Sequence, residues 1–269
     1  MKAELPLQEH SAVSPPGDRL RDIHALLQSM NPALAEWAKP ETISPATTFV
    51  ADDNGLGRLG PNQVHHEALR AAAARTGLPP SALAAIVDAE SAKTADGRWN
   101  VMSRNPRSSA AGIGQFLSGT WIAEAGRPGT WLHEVAQAQG WLDGRGAVRP
   151  TARSELLALR YQPRAAIEAT ADYARANLSR LAKAGVSVTD DAKSIARAAY
   201  LGHHLGPGDA VRFMRGGLST ERAERLLSAQ VGSGGAVRRI AAAGDAAAAH
   251  RQWLLGFVER RVRVDQFTA

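Results

Sequence analysis

The stretch LPPSALAAIVDAES, residues 78–91, decides the fold class of this protein. Proline is suited to the first turn of a helix, and Leu83, Ile86 and Val87 follow the three- and four-residue spacing of a single helical face. The next position on that face is Glu90, where the pattern asks for an apolar residue. We therefore predict a helix whose last turn directs a carboxyl group toward the core or the floor of a cleft.

Similar patterns predict helices along most of the chain. The sequence is rich in alanine and leucine and has little of the alternation that is typical of strands, so the expected fold class is all-α. Gly77 is expected to end one helix, and Thr189 to be the N-cap of another. A loop with at most a small β-hairpin is expected over 93–116, loop-rich chain over 126–150, and a glycine break at 232–235. The predicted helices span residues 18–30, 62–76, 80–92, 118–124, 163–184, 189–204, 209–215, 219–229 and 246–262.

Proline and glycine divide the chain into three parts. Residues 1–61 are predicted to be a flexible lead, a short helix and a linker, residues 62–217 the main helical domain, and residues 218–269 a C-terminal helical extension packed on that domain. Residues 52–55, Asp-Asp-Asn-Gly, resemble the start of a calcium loop. Leucines follow where that loop needs oxygen ligands or its later turn, so we predict no calcium site.

Composition excludes several classes of protein. Hydrophobic residues make up 44% and charged residues 22% of the 269 positions, as in ordinary soluble domains. No apolar run approaches the roughly 18 residues of a membrane span, so we predict no membrane insertion. The first twenty residues lack the apolar segment of a standard secretory signal peptide. Without cysteine the chain has no disulfides, thiolate metal sites or cysteine nucleophiles.

The chain is basic, with 32 Lys and Arg against 26 Asp and Glu and a formal net charge of +6. This charge is compatible with a polyanionic partner such as nucleic acid, an acidic membrane surface or a bacterial cell wall, and equally with no specific partner. A basic helical nucleic-acid-binding protein is one alternative. The sequence has no recognisable reading helix or aromatic stacking platform, so we expect no nucleic-acid partner.

Glu90 is the candidate catalytic residue. A carboxyl group in apolar surroundings loses solvation, which raises its pKa and can keep it protonated near neutral pH. A general acid in glycoside cleavage requires this property. The alternative is that Glu90 lies at a fraying helix end and simply reaches solvent.

Two further segments could contribute side chains to the same site as Glu90. The run AAGIGQF at 110–116 holds two glycines around one isoleucine, which would let the backbone approach a ligand closely. Gln115 in that run offers donors and acceptors that suit sugar hydroxyls and N-acetyl groups. Tyr200 ends an amphipathic helix and could present its hydroxyl beside Glu90.

In this order the segments resemble the lytic transglycosylase domain of the soluble type, which is related to goose-type lysozymes. That family has Glu-Ser at a helix end, a Gly-Leu-Met-Gln-like turn and an Ala-Tyr-Asn-like helix end. The resemblance covers about residues 64–217, and it departs from the family at Gly114, in place of methionine, and at Leu201, in place of asparagine. The matching segments are Glu90-Ser91, Gly112-Ile113-Gly114-Gln115 and Ala199-Tyr200.

The resemblance implies a lysozyme-like helical fold and a muramidase that cuts the β-1,4 bond between N-acetylmuramic acid and N-acetylglucosamine in peptidoglycan. It implies that Glu90 acts as the acid and then as the base at the scissile oxygen. We expect no cofactor and no metal, because the adjacent His203 and His204 are a poor metal pair with no nearby Asp or Glu. The expected substrate-binding residues are Ser91, Ile113, Gln115, Phe116, Tyr200 and His203.

A second carboxylate would distinguish a hydrolase from a lyase. A hydrolase needs an Asp or Glu across the bond, whereas a transglycosylase can use one glutamate because the sugar's own 6-hydroxyl attacks. Asp96 is the best second candidate, and Asp88 lies on the other helix face from Glu90. The sequence leaves both outcomes open.

Two further functional classes remain beside the wall-cleaving enzyme: a catalytically inactive wall-binding or assembly module on the same fold, and the nucleic-acid-binding protein. For the enzyme, the expected partner is the peptidoglycan glycan strand. Without a signal peptide, we expect synthesis in the cytoplasm and delivery to the wall, in the periplasm or in a target cell, by a phage lysis system or a specialised secretion apparatus. A bacteriolytic, antibacterial effector of this kind would be matched by an immunity or inhibitor protein.

Overall fold

The architecture is all-α, as predicted. The computed structural model describes residues 55–106 and 108–269, and in these residues β pairing is limited to isolated bridges. None of the described helices has the length and apolar character that a membrane crossing requires. The α-helices are α1 (His66–Thr76), α2 (Pro80–Glu90), α3 (Ser118–Ala125), α4 (Trp131–Ala138), α5 (Arg153–Ala158), α6 (Pro163–Lys183), α7 (Ala192–Leu205), α8 (Pro207–Met214), α9 (Thr220–Val231), α10 (Ser233–Ala243) and α11 (Ala246–Arg261).

The helix that carries Glu90 is present with nearly its predicted ends. Pro80 lies in the first turn of α2, and the helix ends at Glu90. Gly77 ends α1 in the left-handed conformation, with a φ of 69°, which only glycine adopts without strain. Short-range patterns therefore identified both helices, although residues 60–65, before α1, form a 3₁₀ helix.

Three helical regions differ from the predictions. The segment predicted to be loop-rich contains α4, whose N-cap Thr130 accepts a hydrogen bond from the backbone of His133. Residues 150–161 form α5 flanked by two 3₁₀ turns. The predicted glycine break is confined to Gly232, which has a φ of 75°, and α10 begins directly after it. The helices α4 and α5 are short, so their periodicity is a weak signal, and the glycines at 232–235 obscure the start of α10.

The N-cap of α7 is Asp191, and the prediction of Thr189 was wrong. An Asp191 oxygen accepts a hydrogen bond of 2.8 Å from the backbone nitrogen of Ser194. The Thr189 hydroxyl instead donates to the other Asp191 oxygen at 2.6 Å. These bonds hold the pKa of Asp191 well below its ordinary value.

Two leucines attach residues 55–61, which were predicted to belong to a linker, to the main core. Leu56 and Leu59 are buried, and the backbone nitrogen of Gly57 donates to the carbonyl oxygen of Phe267 at 2.7 Å. The predicted flexible lead, the helix over 18–30 and the acidic positions 52–54 lie outside the described residues.

The C-terminal helices share the main core with the rest of the described chain. Leu254 and Val258 of α11 and Phe267 near the chain end are buried in the same cluster as Leu83 and Ile86 of α2. A smaller cluster joins α9, α10 and α11. Residues 218–269 therefore form an integral part of the described fold.

A buried ionic network fixes α1 to α6. The guanidinium group of Arg75 donates to Asp172 at 2.7 Å and to Glu168 at 2.9 Å. The second oxygen of Asp172 accepts a hydrogen bond from the backbone nitrogen of Trp131, at the start of α4. Burial raises the pKa of Glu168 despite its arginine partner. Three helices, α1, α4 and α6, thus meet at one charged cluster.

Candidate active site

A cavity of about 360 Å³ lies at the C-terminal end of α2. Its volume falls within the range of small-molecule sites, roughly 300–1,000 Å³. Its walls come from α2, the loop before α3, and helices α3, α6, α7 and α11. Several predicted site residues line it together: Glu90, Gln115, Phe116, Tyr200 and His203.

Glu90 is enclosed by this cavity, with 14% of its side chain exposed. The alternative of a glutamate at a fraying end that reaches solvent is therefore wrong. The helix end is fixed by Ser91, whose hydroxyl lies 2.8 Å from the carbonyl oxygen of Val87 and 2.9 Å from that of Ile113. Ser91 is buried and does not line the cavity. It joins the end of α2 to the 112–115 turn, in place of the predicted contact with substrate.

Tyr200 lies beside Glu90 in the cavity wall. The tyrosine is buried in α7, and its hydroxyl interacts electrostatically with Glu90 and with Arg261, which line the same cavity. Burial and the negative charge of Glu90 raise the pKa of Tyr200 far above its ordinary value. The hydroxyl therefore stays protonated and can donate to the carboxylate at any physiological pH.

His203 and Tyr173 complete the wall beside Glu90. The Nε2 atom of His203 lies 3.8 Å from a Glu90 oxygen, too far for a hydrogen bond but within reach of a charge interaction. The His203 ring packs edge-on against Phe116 and Tyr173, with centroids 5.2 and 5.5 Å apart. Tyr173 was not among the predicted residues, since nothing in its spacing along α6 distinguishes it from a core aromatic.

Gln115 lines the cavity in a strained conformation. Its φ of 46° makes it the one non-glycine residue with a left-handed backbone in the described part of the chain. Such conformations cluster at functional sites because the surrounding fold must hold them in place. The amide nitrogen donates to the carbonyl oxygen of Gly112 at 2.7 Å and to the Ser103 hydroxyl at 3.3 Å.

The backbone at Gly112 and Gly114 packs closely against other parts of the protein. The sequence had predicted that it would lie close to a ligand. A Cβ atom on Gly112 would lie 1.8 Å from the carbonyl oxygen of Arg160. A Cβ on Gly114 would lie 3.0 Å from the Phe116 ring and from the Thr170 hydroxyl. Ile113 between them is 1% exposed and belongs to the main core, so its predicted role in substrate binding is wrong.

The structure does not bring Asp96 to the cavity. Its side chain is 52% exposed and pairs with Arg98 at 2.8 Å within the same loop. Asp88 accepts a hydrogen bond from the Trp99 indole at 2.8 Å. Among the described residues that line the cavity, Glu90 is the one carboxylate.

A larger cavity of about 620 Å³ lies beside α8 and the start of α9. Its carboxylate, Asp209, is already paired with Arg212 at 3.0 Å and with Arg222 at 2.5 Å. Both oxygens of Asp209 are therefore engaged by arginines, whereas no arginine in the described part of the chain pairs with Glu90. The smaller cavity with Glu90 is therefore the candidate active site.

A second histidine lies against the back of Tyr200. The His204 ring stacks on Tyr200 with centroids 5.8 Å apart and contacts Phe257 of α11 at 5.3 Å. Burial lowers the pKa of His204 to about 4. Burial likewise lowers the pKa of His250, which is 1% exposed. The junction between α7 and α11 therefore contains two histidines that the fold keeps neutral.

Acidification is expected to destabilise the fold through His204. In the unfolded chain this histidine regains an ordinary pKa near 6.5 and binds a proton that the folded state excludes, so stability falls as the pH drops below about 6.5. The expected loss from this group between pH 7 and pH 5 is about 2 kcal/mol. Urea denaturation at both pH values measures it. His204→Phe keeps an aromatic ring and should flatten this dependence, whereas equal losses in both proteins would contradict the assignment.

The described residues contain no group of three or more His, Asp or Glu side chains that could hold a metal ion. The residues that line the cavity offer side-chain acid–base chemistry at Glu90 and polar or aromatic contacts around it. Comparison with known proteins gives the chain no family: no protein-family model matches it, and no curated protein does.

Proposed function

We propose that this protein is a peptidoglycan-cleaving muramidase of the lytic transglycosylase type, with Glu90 as the general acid and then the base. The observation that carries the proposal is an enclosed glutamate at a helix end that lines one cavity with the Tyr200 side chain. Gln115 and His203 lie in the same cavity. Glu90, Gln115 and Tyr200 belong to the segments on which the sequence resemblance rests.

The first step breaks the glycosidic bond. The protonated carboxyl group of Glu90 gives its proton to the oxygen between C1 of N-acetylmuramic acid and C4 of N-acetylglucosamine. The bond from C1 to that oxygen breaks, and N-acetylglucosamine leaves with a free 4-hydroxyl. Tyr200 donates to the carboxylate that remains, so it holds the group in place and stabilises the charge.

The second step closes a ring on the muramic acid. The Glu90 carboxylate accepts the proton of the 6-hydroxyl, and O6 forms a bond to C1 to give a 1,6-anhydro sugar. No water enters the product, and the carboxyl group ends the cycle protonated. Hydrolysis by the usual routes would need a second carboxylate across the bond. Glu90 is the one carboxylate among the described lining residues, and this favours the ring-closing route.

The other lining residues suit a glycan. Asn105, Gln115 and Thr120 offer hydrogen-bonding side chains for hydroxyl and N-acetyl groups. Leu117 lies at the same cavity with 47% of its surface exposed and offers an apolar contact for a sugar face. The formal net charge of +6 favours an anionic polymer over a neutral one.

Digestion of purified peptidoglycan by the full chain tests the proposal, with the soluble products separated by chromatography and weighed. We expect products that end in 1,6-anhydro-muramic acid. Products heavier by one water molecule would show that the bond is hydrolysed, and the ring-closing route would then be wrong. A protein that sediments with the wall but releases nothing would instead be an inactive wall-binding module, and the proposed activity would be wrong.

A further inference from the structure

The C-terminal helix reaches the candidate site through Arg261. This residue ends α11 and lines the cavity with Glu90. One nitrogen of its guanidinium group donates to the carbonyl oxygen of Ala89 at 2.7 Å, across 172 positions of sequence. The same side chain interacts electrostatically with the Tyr200 hydroxyl, and both residues line the cavity.

The contact with Ala89 stabilises the helix end that carries Glu90. The last four carbonyl groups of a helix have no intrahelical partner, and Ala89 belongs to the last turn of α2. Arg261 supplies a donor to one of them and places a positive charge at the negative end of the helix dipole. No basic residue of α2 itself lies in this turn.

The charge of Arg261 favours one orientation of the Tyr200 hydroxyl. An arginine side chain has donors and no acceptor, so it favours the arrangement in which the tyrosine oxygen faces Arg261. The hydroxyl proton is then directed toward the carboxylate of Glu90. Because Tyr200 is only 3% exposed, water has little access to compete for either contact.

Packing holds Arg261 at this place. Leu254, Val258 and Val262 around it are buried in the main core, and Phe257, one turn earlier, lines the same cavity. The register of α11 is therefore fixed by apolar contacts that do not involve the guanidinium group.

We propose that Arg261 is a positioning residue that orients the pair of Tyr200 and Glu90, so that helix α11 is part of the active site. This inference rests on the proposed function. It assigns to the C-terminal helices a role that the resemblance, which covers about residues 64–217, does not include.

The test compares Arg261→Ala, Arg261→Lys and the matched control Arg260→Ala in the full chain, with rates of muropeptide release over a range of peptidoglycan concentrations. Arg260 is its neighbour on α11; both arginines are exposed, but of the two only Arg261 lines the cavity. We expect Arg261→Ala to lower kcat about 10- to 100-fold with little change in KM, the size expected for a lost hydrogen bond to a charged group. Arg261→Lys should recover part of the rate, and Arg260→Ala should match the wild type.

Added guanidinium ion, at concentrations too low to denature the protein, should restore part of the Arg261→Ala rate and none of the rate of Glu90→Gln. A wild-type rate in Arg261→Ala, or equal losses in Arg261→Ala and Arg260→Ala, would overturn the inference. A loss that neither lysine nor guanidinium repairs would assign Arg261 a purely structural role, which also overturns it.

Amide hydrogen exchange gives a readout that needs no activity. Faster exchange over the last turn of α2 in Arg261→Ala, and not in Arg260→Ala, is the expected result. Unchanged exchange there would overturn the inference even if the enzyme is active. A wild-type protein that releases no muropeptides would contradict the proposed function alone, and the exchange comparison would still decide the role of Arg261.

Discussion

Glu90→Gln is expected to lower the rate of peptidoglycan cleavage by about 10²- to 10⁴-fold, the usual contribution of a general acid or base. Glutamine has nearly the same shape, and its amide oxygen can still face the Tyr200 hydroxyl. It cannot give a proton to the leaving oxygen or take one from the 6-hydroxyl. Because Glu90 is enclosed, bulk water is poorly placed to replace it. Muropeptide release per unit time measures the effect.

Asp96→Asn is the matched control, since it makes the same chemical change in a carboxylate outside the cavity. We expect its rate to equal that of the wild type, and both variants to keep the thermal midpoint of unfolding. Wild-type activity in Glu90→Gln would remove Glu90 from the mechanism. A large loss in Asp96→Asn would make Asp96 a second catalytic carboxylate after all, and a hydrolytic product would then be expected.

The position of Glu90 could be predicted because it depends on short-range order. The spacing from Leu83 through Val87 puts Glu90 on the apolar face of α2, and the structure encloses it there. Tyr200 was also placed correctly beside Glu90, although the two lie on different helices. Periodicity could not have related them, and the pairing came from the order of the segments in the resemblance.

The roles of the residues in the 112–115 turn could not be predicted in the same way. A run of two glycines around an isoleucine shows that the backbone meets something closely, but not whether that is a ligand or the protein. Here it meets the carbonyl oxygen of Arg160 and the Thr170 side chain, about fifty residues later in the chain. Ser91 faces backbone carbonyls for the same reason, since the turn packs onto the end of α2.

Arg261 and Tyr173 show a second limit of prediction from the sequence. Arg261 stands in a run of arginines, and only the register of α11 decides which of them faces the cavity. Tyr173 reaches the cavity from the middle of α6, where an aromatic residue is usually part of the core. Both contributions depend on how distant helices pack, and no local pattern carries that information.

Arg75→Ala is expected to lower the free energy of unfolding by about 3 kcal/mol, and the thermal midpoint by roughly 10 °C. The substitution leaves two carboxylates, Glu168 and Asp172, without their cation while their side chains are only 4% and 7% exposed. A buried charge that has lost its partner costs far more than the ion pair itself contributed. Urea denaturation at pH 7 measures the loss.

Arg70→Ala is the control, on the same helix, because its pair with Glu67 is long at 3.9 Å and mostly exposed. An exposed pair of this kind is expected to contribute less than about 1 kcal/mol. The penalty of Arg75→Ala should also shrink as the pH falls, since the pKa of Glu168 is already raised by burial and its protonation removes one of the unpaired charges. Equal losses in the two variants, or a penalty that does not change with pH, would mean that the network contributes packing and not charge compensation.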